Sequence, residues 1–168
     1  MTANEETWTS KQIVRILIER YTMSRQASNW IVLPELRIGT GFGKDAEQRL
    51  DLWAINVWPS EHLRRIAFEI KVSRPDFLAE LRQPAKRRRA LLLSNEFYFA
   101  APAGLIAVSE LPLEAGLMEI TKDGYAHAKV AAPWRDTPAP SWRFFAAVAR
   151  RLSADARNIR ERTADLQN

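Results

Sequence analysis

Cysteine is absent and histidine occurs only at His62 and His127. A disulfide framework and a thiolate zinc site are therefore excluded, and two distant histidines make no histidine cluster. Any metal would have to rest on oxygen ligands. No segment approaches the roughly 18 consecutive apolar residues that a membrane span needs. Met1 to Thr9 is polar and acidic, unlike a basic stretch leading into an apolar run, so a cytoplasmic protein with no membrane partner is expected. Glycine is scarce, and three of the six glycines crowd into one loop as Gly39, Gly41 and Gly43. No helix pattern with a Lys-Ser/Thr ending follows that loop, which makes it a hairpin connection in preference to a phosphate cradle. Internal repeats and low-complexity tracts are missing as well.

What remains is enough for one core: 168 residues, 46% of them hydrophobic, point to a single compact unit. The charge balance is basic, with 25 Lys and Arg against 20 Asp and Glu for a net +5, which favours polyanionic partners through long-range attraction and counterion release.

Ser10 to Tyr21 carries Ile13, Ile16, Leu17 and Tyr21 at helical spacing behind a Ser or Thr cap, which predicts an amphipathic helix lying against a sheet. Trp30 to Ile38 and Arg49 to Trp58 read as strands on either side of the glycine loop. From Arg65 to Val72 the pattern alternates: Ile66, Phe68, Ile70 and Val72 share one face, and Ala67, Glu69 and Lys71 the other. Helices are expected from Pro75 to Leu81 and from Pro84 to Leu93, with Pro84 as a break or a new first turn. Strand character returns at Asn95 to Ala101 and Leu105 to Val108. Gly116 to Thr121 and Tyr125 to Ala131 flank Lys122-Asp123-Gly124, where Asp-Gly suits the positive φ angles of a tight hairpin. Pro133 to Pro140 reads as a linker, and Trp142, Phe145, Val148, Ala149 and Leu152 mark a final amphipathic helix.

Chemistry concentrates in two strands. Asp51 interrupts Leu50 to Val57, a run apolar on both faces and so expected to be buried on both, where a carboxylate is costly unless a cation or strong donors meet it. Glu69 and Lys71 pose the same problem on the next strand. The span from Leu52 through Phe68 accommodates one strand, a turn through Pro59-Ser60-Glu61 and the return strand, so the two acids can meet across a ladder. Two carboxylates could hold Mg²⁺ or Mn²⁺, which polarises a phosphoryl oxygen and lowers the pKa of bound water, while Lys71 reaches the same water or phosphate.

Arg49-Leu50-Asp51 followed by Phe68-Glu69-Ile70-Lys71-Val72 resembles the D…ExK signature of the PD-(D/E)XK nuclease superfamily, with Leu50 where proline is common. Within it the chain is most similar to the MmcB-like DNA-repair family, through Leu33-Pro34-Glu35, Glu69-Ile70-Lys71-Val72-Ser73 with Asp76-Phe77, and Phe97-Tyr98-Phe99-Ala100-Ala101-Pro102. These blocks cover roughly residues 30 to 120. The resemblance implies an α/β fold with a restriction-endonuclease-like α-β-β-β-α-β core and a central mixed sheet flanked by helices. A nuclease-like domain is expected over 1–132; the linker and amphipathic helix of 133–168 lie outside the resemblance and are expected to pack on the same domain. It further implies that Asp51 and Glu69 bind the metal and that Lys71 assists catalysis. The superfamily often adds an upstream acid, for which Glu35 is the candidate and Glu19 its competitor.

The expected activity is thus hydrolysis of DNA phosphodiester bonds in repair or processing. The alternatives are a non-catalytic DNA-binding module that keeps the nuclease fold, acting with a repair-protein partner, or an RNA-processing nuclease. Lys86-Arg87-Arg88-Arg89 could grip phosphates, but on a helix these four fan round the circumference, so only one or two would face a ligand. Phe97, Tyr98 and Phe99 are expected in the core more than on stacked bases. Trp142 and Phe145 suit packing of the last helix on the body or on a second copy in a homodimer.

Overall fold

The computed structural model describes residues 8–23, 29–38 and 48–165. The glycine loop at Gly39, Gly41 and Gly43 lies outside them. Helix α1 (Ser10–Thr22) opens the fold with a capping box, in which the Thr9 hydroxyl accepts from the Gln12 N–H and the Gln12 side chain accepts from the Thr9 N–H. Strands β1 (Trp30–Arg37), β2 (Arg49–Asn56) and β3 (Arg65–Ile70) follow. Helices α2 (Arg74–Leu81) and α3 (Pro84–Leu93) come next, then β4 (Glu96–Pro102), β5 (Gly116–Ile120), β6 (Ala126–Val130) and the long helix α4 (Trp142–Asp165). Pro84 is the first residue of a new helix, where its missing N–H costs nothing.

The strands form one mixed sheet in the order β1-β2-β3-β4-β5-β6. β2 runs antiparallel to both of its neighbours, β1 and β3, β4 and β5 run parallel to β3, and β6 returns antiparallel. The parallel step from β3 to β4 is made by α2 and α3, as a parallel crossover requires. Strand alternation then sorts the core into two layers. Leu52, Ile66, Phe68 and Ile70 pack with Ile13 and Leu17 of α1, while Trp53, Ala67, Phe97 and Phe99 pack with Phe77, Ala90 and Phe144 of α2, α3 and α4. The molecule is an α/β protein whose six-stranded mixed sheet has helices on both faces. Among the described residues no helix is long and apolar enough to cross a membrane.

Leu105 to Val108 departs from its expected strand form. Gly104 takes φ +80° and the Leu105 N–H turns back to the Pro102 carbonyl, so the chain leaves β4 in a turn and passes into a short 3₁₀ turn, Val108–Glu110. The apolar character of the segment serves to bury Ile106 in the core from a loop. In the β5–β6 hairpin only Gly124 adopts positive φ, at +78°, and its N–H closes the turn on the Thr121 carbonyl at 3.0 Å. Asp123 stays in the ordinary region.

The linker 133–140 has no regular structure, yet the Arg135 N–H donates to the Asn95 carbonyl at 2.9 Å, the Asn95 side-chain amide donates to the Arg135 carbonyl at 3.0 Å, and the Arg135 guanidinium donates to the Glu114 carbonyl. These contacts pin the linker to the sheet, and Phe144 and Ala147 anchor the start of α4 on the body.

Two local features have measurable consequences. Gly116 lies against Tyr98, so a Cβ there would stand 2.5 Å from the Tyr98 ring and 2.6 Å from the Ala132 nitrogen. Gly116→Ala must displace backbone, and we expect a loss of about 2 kcal/mol or more in urea unfolding. Between β2 and β3, His62 and Leu63 both hold positive φ, 55° and 50°, in a turn closed by the Arg64 N–H on the Glu61 carbonyl. This is I′ geometry, which Asn-Gly fits without strain. The double substitution His62→Asn, Leu63→Gly should therefore raise unfolding stability by roughly 1 kcal/mol.

Candidate active site

The register of β2 on β3 pairs Leu52 with Phe68, which places Asp51 and Glu69 opposite each other one step along the ladder. The Asp51 carboxylate accepts the Ile70 N–H at 2.8 Å. Lys71 lies just past the end of β3, its N–H bonded to the Ala100 carbonyl at 2.9 Å, so the extended direction continues and its side chain stays on the Glu69 face. Asp51, Glu69 and Lys71 are thus brought together on the floor of a cleft of about 730 Å³.

Helix α2 supplies two further acids that the sequence reading did not place in the site. Ser73 caps the helix and accepts the Asp76 N–H, and Asp76 and Glu80, four apart, point from one helical face towards Lys71. The Lys71 Nζ stands 2.9 Å from Glu69 Oε1 and 3.5 Å from both Asp76 Oδ1 and Glu80 Oε2. Both Lys71 and Glu80 side chains are only 5% exposed. A signal for Glu80 was available: an acid four residues after Asp76 on a short helix that follows ExK directly. Arg74 fixes the same helix from its other side, through a two-pronged pair with Glu110 at 2.7 Å on each prong and a bond to the Leu105 carbonyl. That pairing, together with the Ala107 N–H, holds the Glu110 carboxyl down at about 2.

Glu35 is not brought to this group. It falls between the Pro34–Leu52 and Leu36–Leu50 pairs, so its backbone neighbours Asp51. However, its φ of 48° breaks the strand alternation, Leu33 and Leu36 both enter the same core cluster, and the Glu35 side chain is 71% exposed beside Arg49 at 3.8 Å. Glu19, its competitor, pairs with Arg15 on the exposed side of α1. Among the described residues no three acids or histidines converge on one ion position. The basic run divides as its helical spacing predicts. Arg87 is buried, bonded to the Glu80 carbonyl and to Glu114, Arg88 is exposed, and Arg89 lines the cleft. Phe97, Tyr98 and Phe99 are buried in the core.

Electrostatically the floor is short of positive charge, with four carboxylates around one ammonium. Burial, reinforced by Asp51, pushes the Glu69 carboxyl up to about 7 against the lowering effect of Lys71. Burial also raises Asp51, offset in part by the Ile70 N–H and Lys71. Burial would lower Lys71, but the attraction of Glu69, Glu80 and Asp76 outweighs it and keeps the ammonium charged. The donor set fits a hard divalent cation: two adjacent half-buried carboxylates, open to a cleft that can hold water. Mg²⁺ commonly takes one or two carboxylates and keeps several waters.

These features define an α/β protein with a half-buried acidic pair and a lysine at the end of its central strands. A solved structure of similar fold is that of the SPO1766 protein of unknown function from Silicibacter pomeroyi. The TM-score is 0.58 with 21% identity, covering 89% of this chain and 92% of that one. At that identity the likeness concerns the fold alone. No family model matches the sequence, and no curated protein matches it.

The raised Glu69 carboxyl has a definite linkage sign. Its folded value, about 7, lies above its ordinary 4.5, so the metal-free folded state binds the extra proton and stability falls as pH rises through that window. Urea unfolding in EDTA should lose on the order of 2 kcal/mol between pH 4.5 and 7.5 from this group. In Glu69→Gln most of that decline should disappear; an unchanged pH dependence would show that Glu69 titrates normally.

Proposed function

We propose that the chain is a metal-dependent nuclease of the PD-(D/E)XK type that hydrolyses DNA phosphodiester bonds, in repair or processing, on a restriction-endonuclease-like core. The observation that carries this reading is the convergence of Asp51, Glu69 and Lys71 from β2 and β3 in one open cleft. The order of the first elements, one helix, three antiparallel strands, helices and a parallel strand, agrees with it.

In this reading Asp51 and Glu69 hold Mg²⁺ or Mn²⁺. The bound ion supplies polarisation of the phosphoryl oxygen and a lowered pKa for coordinated water. Lys71 faces the attacking water and the charge that develops on the phosphate. Glu80 and Asp76 keep the Lys71 ammonium in place and charged when Glu69 is engaged elsewhere. Arg49 and Arg89 line the cleft, and with the net charge of +5 they favour approach of a polyanion. The non-catalytic DNA-binding alternative draws on a different observation, that among the described residues no three acids or histidines are placed to hold one ion together.

Labelled single-stranded DNA, double-stranded DNA and matched RNA, incubated with Mg²⁺, Mn²⁺ or EDTA, separate these readings. We expect metal-dependent cleavage of DNA, reduced at least about 100-fold in Asp51→Ala, Glu69→Ala and Lys71→Ala. Binding without cleavage in every metal would instead identify the non-catalytic module, and faster cutting of RNA an RNA-processing enzyme.

A further inference from the structure

Helix α4 runs 24 residues, from Trp142 to Asp165, but only Phe144 and Ala147 of it are buried against the body. Every residue from 156 to 165 is exposed. A segment of this length has little helical stability of its own, because isolated helices shorter than about 12–15 residues are marginal in water. The helix nevertheless carries a second apolar seam that the body does not cover. Trp142, Phe145, Leu152 and Ile159 are 84, 58, 39 and 65% exposed.

Their spacing is that of a heptad. Trp142, Ala149, Ala156 and Thr163 recur every seven residues, and Phe145, Leu152 and Ile159 recur every seven residues three places later. This alternation of three and four is the seam along which two helices pack with knobs in holes. Arg143, Arg150 and Arg157 also recur every seven residues, one place after the first set, and fall on a different face from the seam, so a partner helix would leave them in water.

We propose that this seam binds α4 of a second copy of the chain, antiparallel, to form a homodimer. Size decides the direction. In a parallel, in-register pair Ala149 and Ala156 would each meet themselves and leave gaps, while Trp142 would meet Trp142. In the antiparallel pair Phe145 lies over Ala156, Leu152 over Ala149 and Ile159 over Trp142, so large side chains meet small ones in the inner layers. The exposed half of each helix then covers the exposed base of the other, which accounts for both uncovered features at once. Covering the four side chains would remove on the order of 500 Å² per copy, about 1,000 Å² for the pair, which reaches the size of a specific interface.

Sedimentation equilibrium tests this in the intact chain at concentrations up to about 100 μM, a range that detects a dimer bound in the micromolar regime. The expected mass is twice 19.2 kDa. Phe145→Glu and Leu152→Glu, both at exposed positions and so compatible with folding of the body, should each return the 19.2 kDa monomer and lower helical circular dichroism. The chain has no cysteine, so Trp142→Cys and Ile159→Cys chains, mixed and oxidised, should cross-link to each other in preference to themselves. A wild type that stays monomeric throughout overturns the proposal, as does a dimer that survives both glutamate substitutions. Predominant self-cross-linking overturns the antiparallel arrangement. A monomer that sediments with phosphatidylglycerol vesicles through the same residues would assign the seam to a lipid surface instead.

Discussion

The pairing of β2 with β3 is the constraint on which the candidate site rests. It sets the Asp51 and Glu69 carboxylates opposite each other, and the face they share is closed over by α2 and α3 a few residues later. Two acids held this close in a partly buried position lose hydration and repel each other, which pushes the Glu69 carboxyl up to about 7. Lys71 answers part of that cost. Its ammonium is drawn to Glu69 but also to Asp76 and Glu80, so one cation ties the end of β3 to helix α2. The carboxylates around Lys71 are thus held in place by a sheet on one side and a clamped helix on the other.

The rest of the fold holds this arrangement still. The Arg74–Glu110 pair fastens the first turn of α2 to the loop after β4. Arg87, in the middle of the basic run, bonds to the last turn of α2 and to Glu114, and lies over the Phe99 ring. Side chains that in the sequence look like a phosphate-binding stripe therefore divide, among those described, into a structural Arg87, an exposed Arg88 and an Arg89 that lines the cleft. Packing uses the same economy at Ile106, which enters the core from a loop because Gly104 turns the chain out of the sheet.

Much of this was legible in the order of residues. Alternation at Ile66, Phe68 and Ile70 against Ala67 and Glu69 located a central strand and the face bearing the acid, because a strand has a period of two whatever surrounds it. Helical spacing located α1 and α4, the prolines at 75 and 84 marked the starts of α2 and α3, and the lone Asp51 in an apolar run was conspicuous for the cost of burying it. Three readings failed for local reasons. Leu105 to Val108 is apolar enough for a strand, but Gly104 has already bent the backbone away. Asp123 was expected to share positive φ with Gly124 and does not. Glu35 sits at the right ladder position, yet its left-handed backbone turns its side chain out to Arg49.

The sequence by itself determined most of the helices and strands, which faces would be apolar, and which residue types could carry charge into the interior, since these follow from periodicity and from the cost of burying polar groups. Only the tertiary structure decided the membership of the site. Glu80 joins it because the crossover from β3 to β4 lays α2 over Lys71, and Glu35 is left out because one residue of β1 takes an uncommon backbone angle. Neither is a local property: the first depends on the direction in which a helix crosses the sheet, the second on how β1 fits against β2 while burying both Leu33 and Leu36.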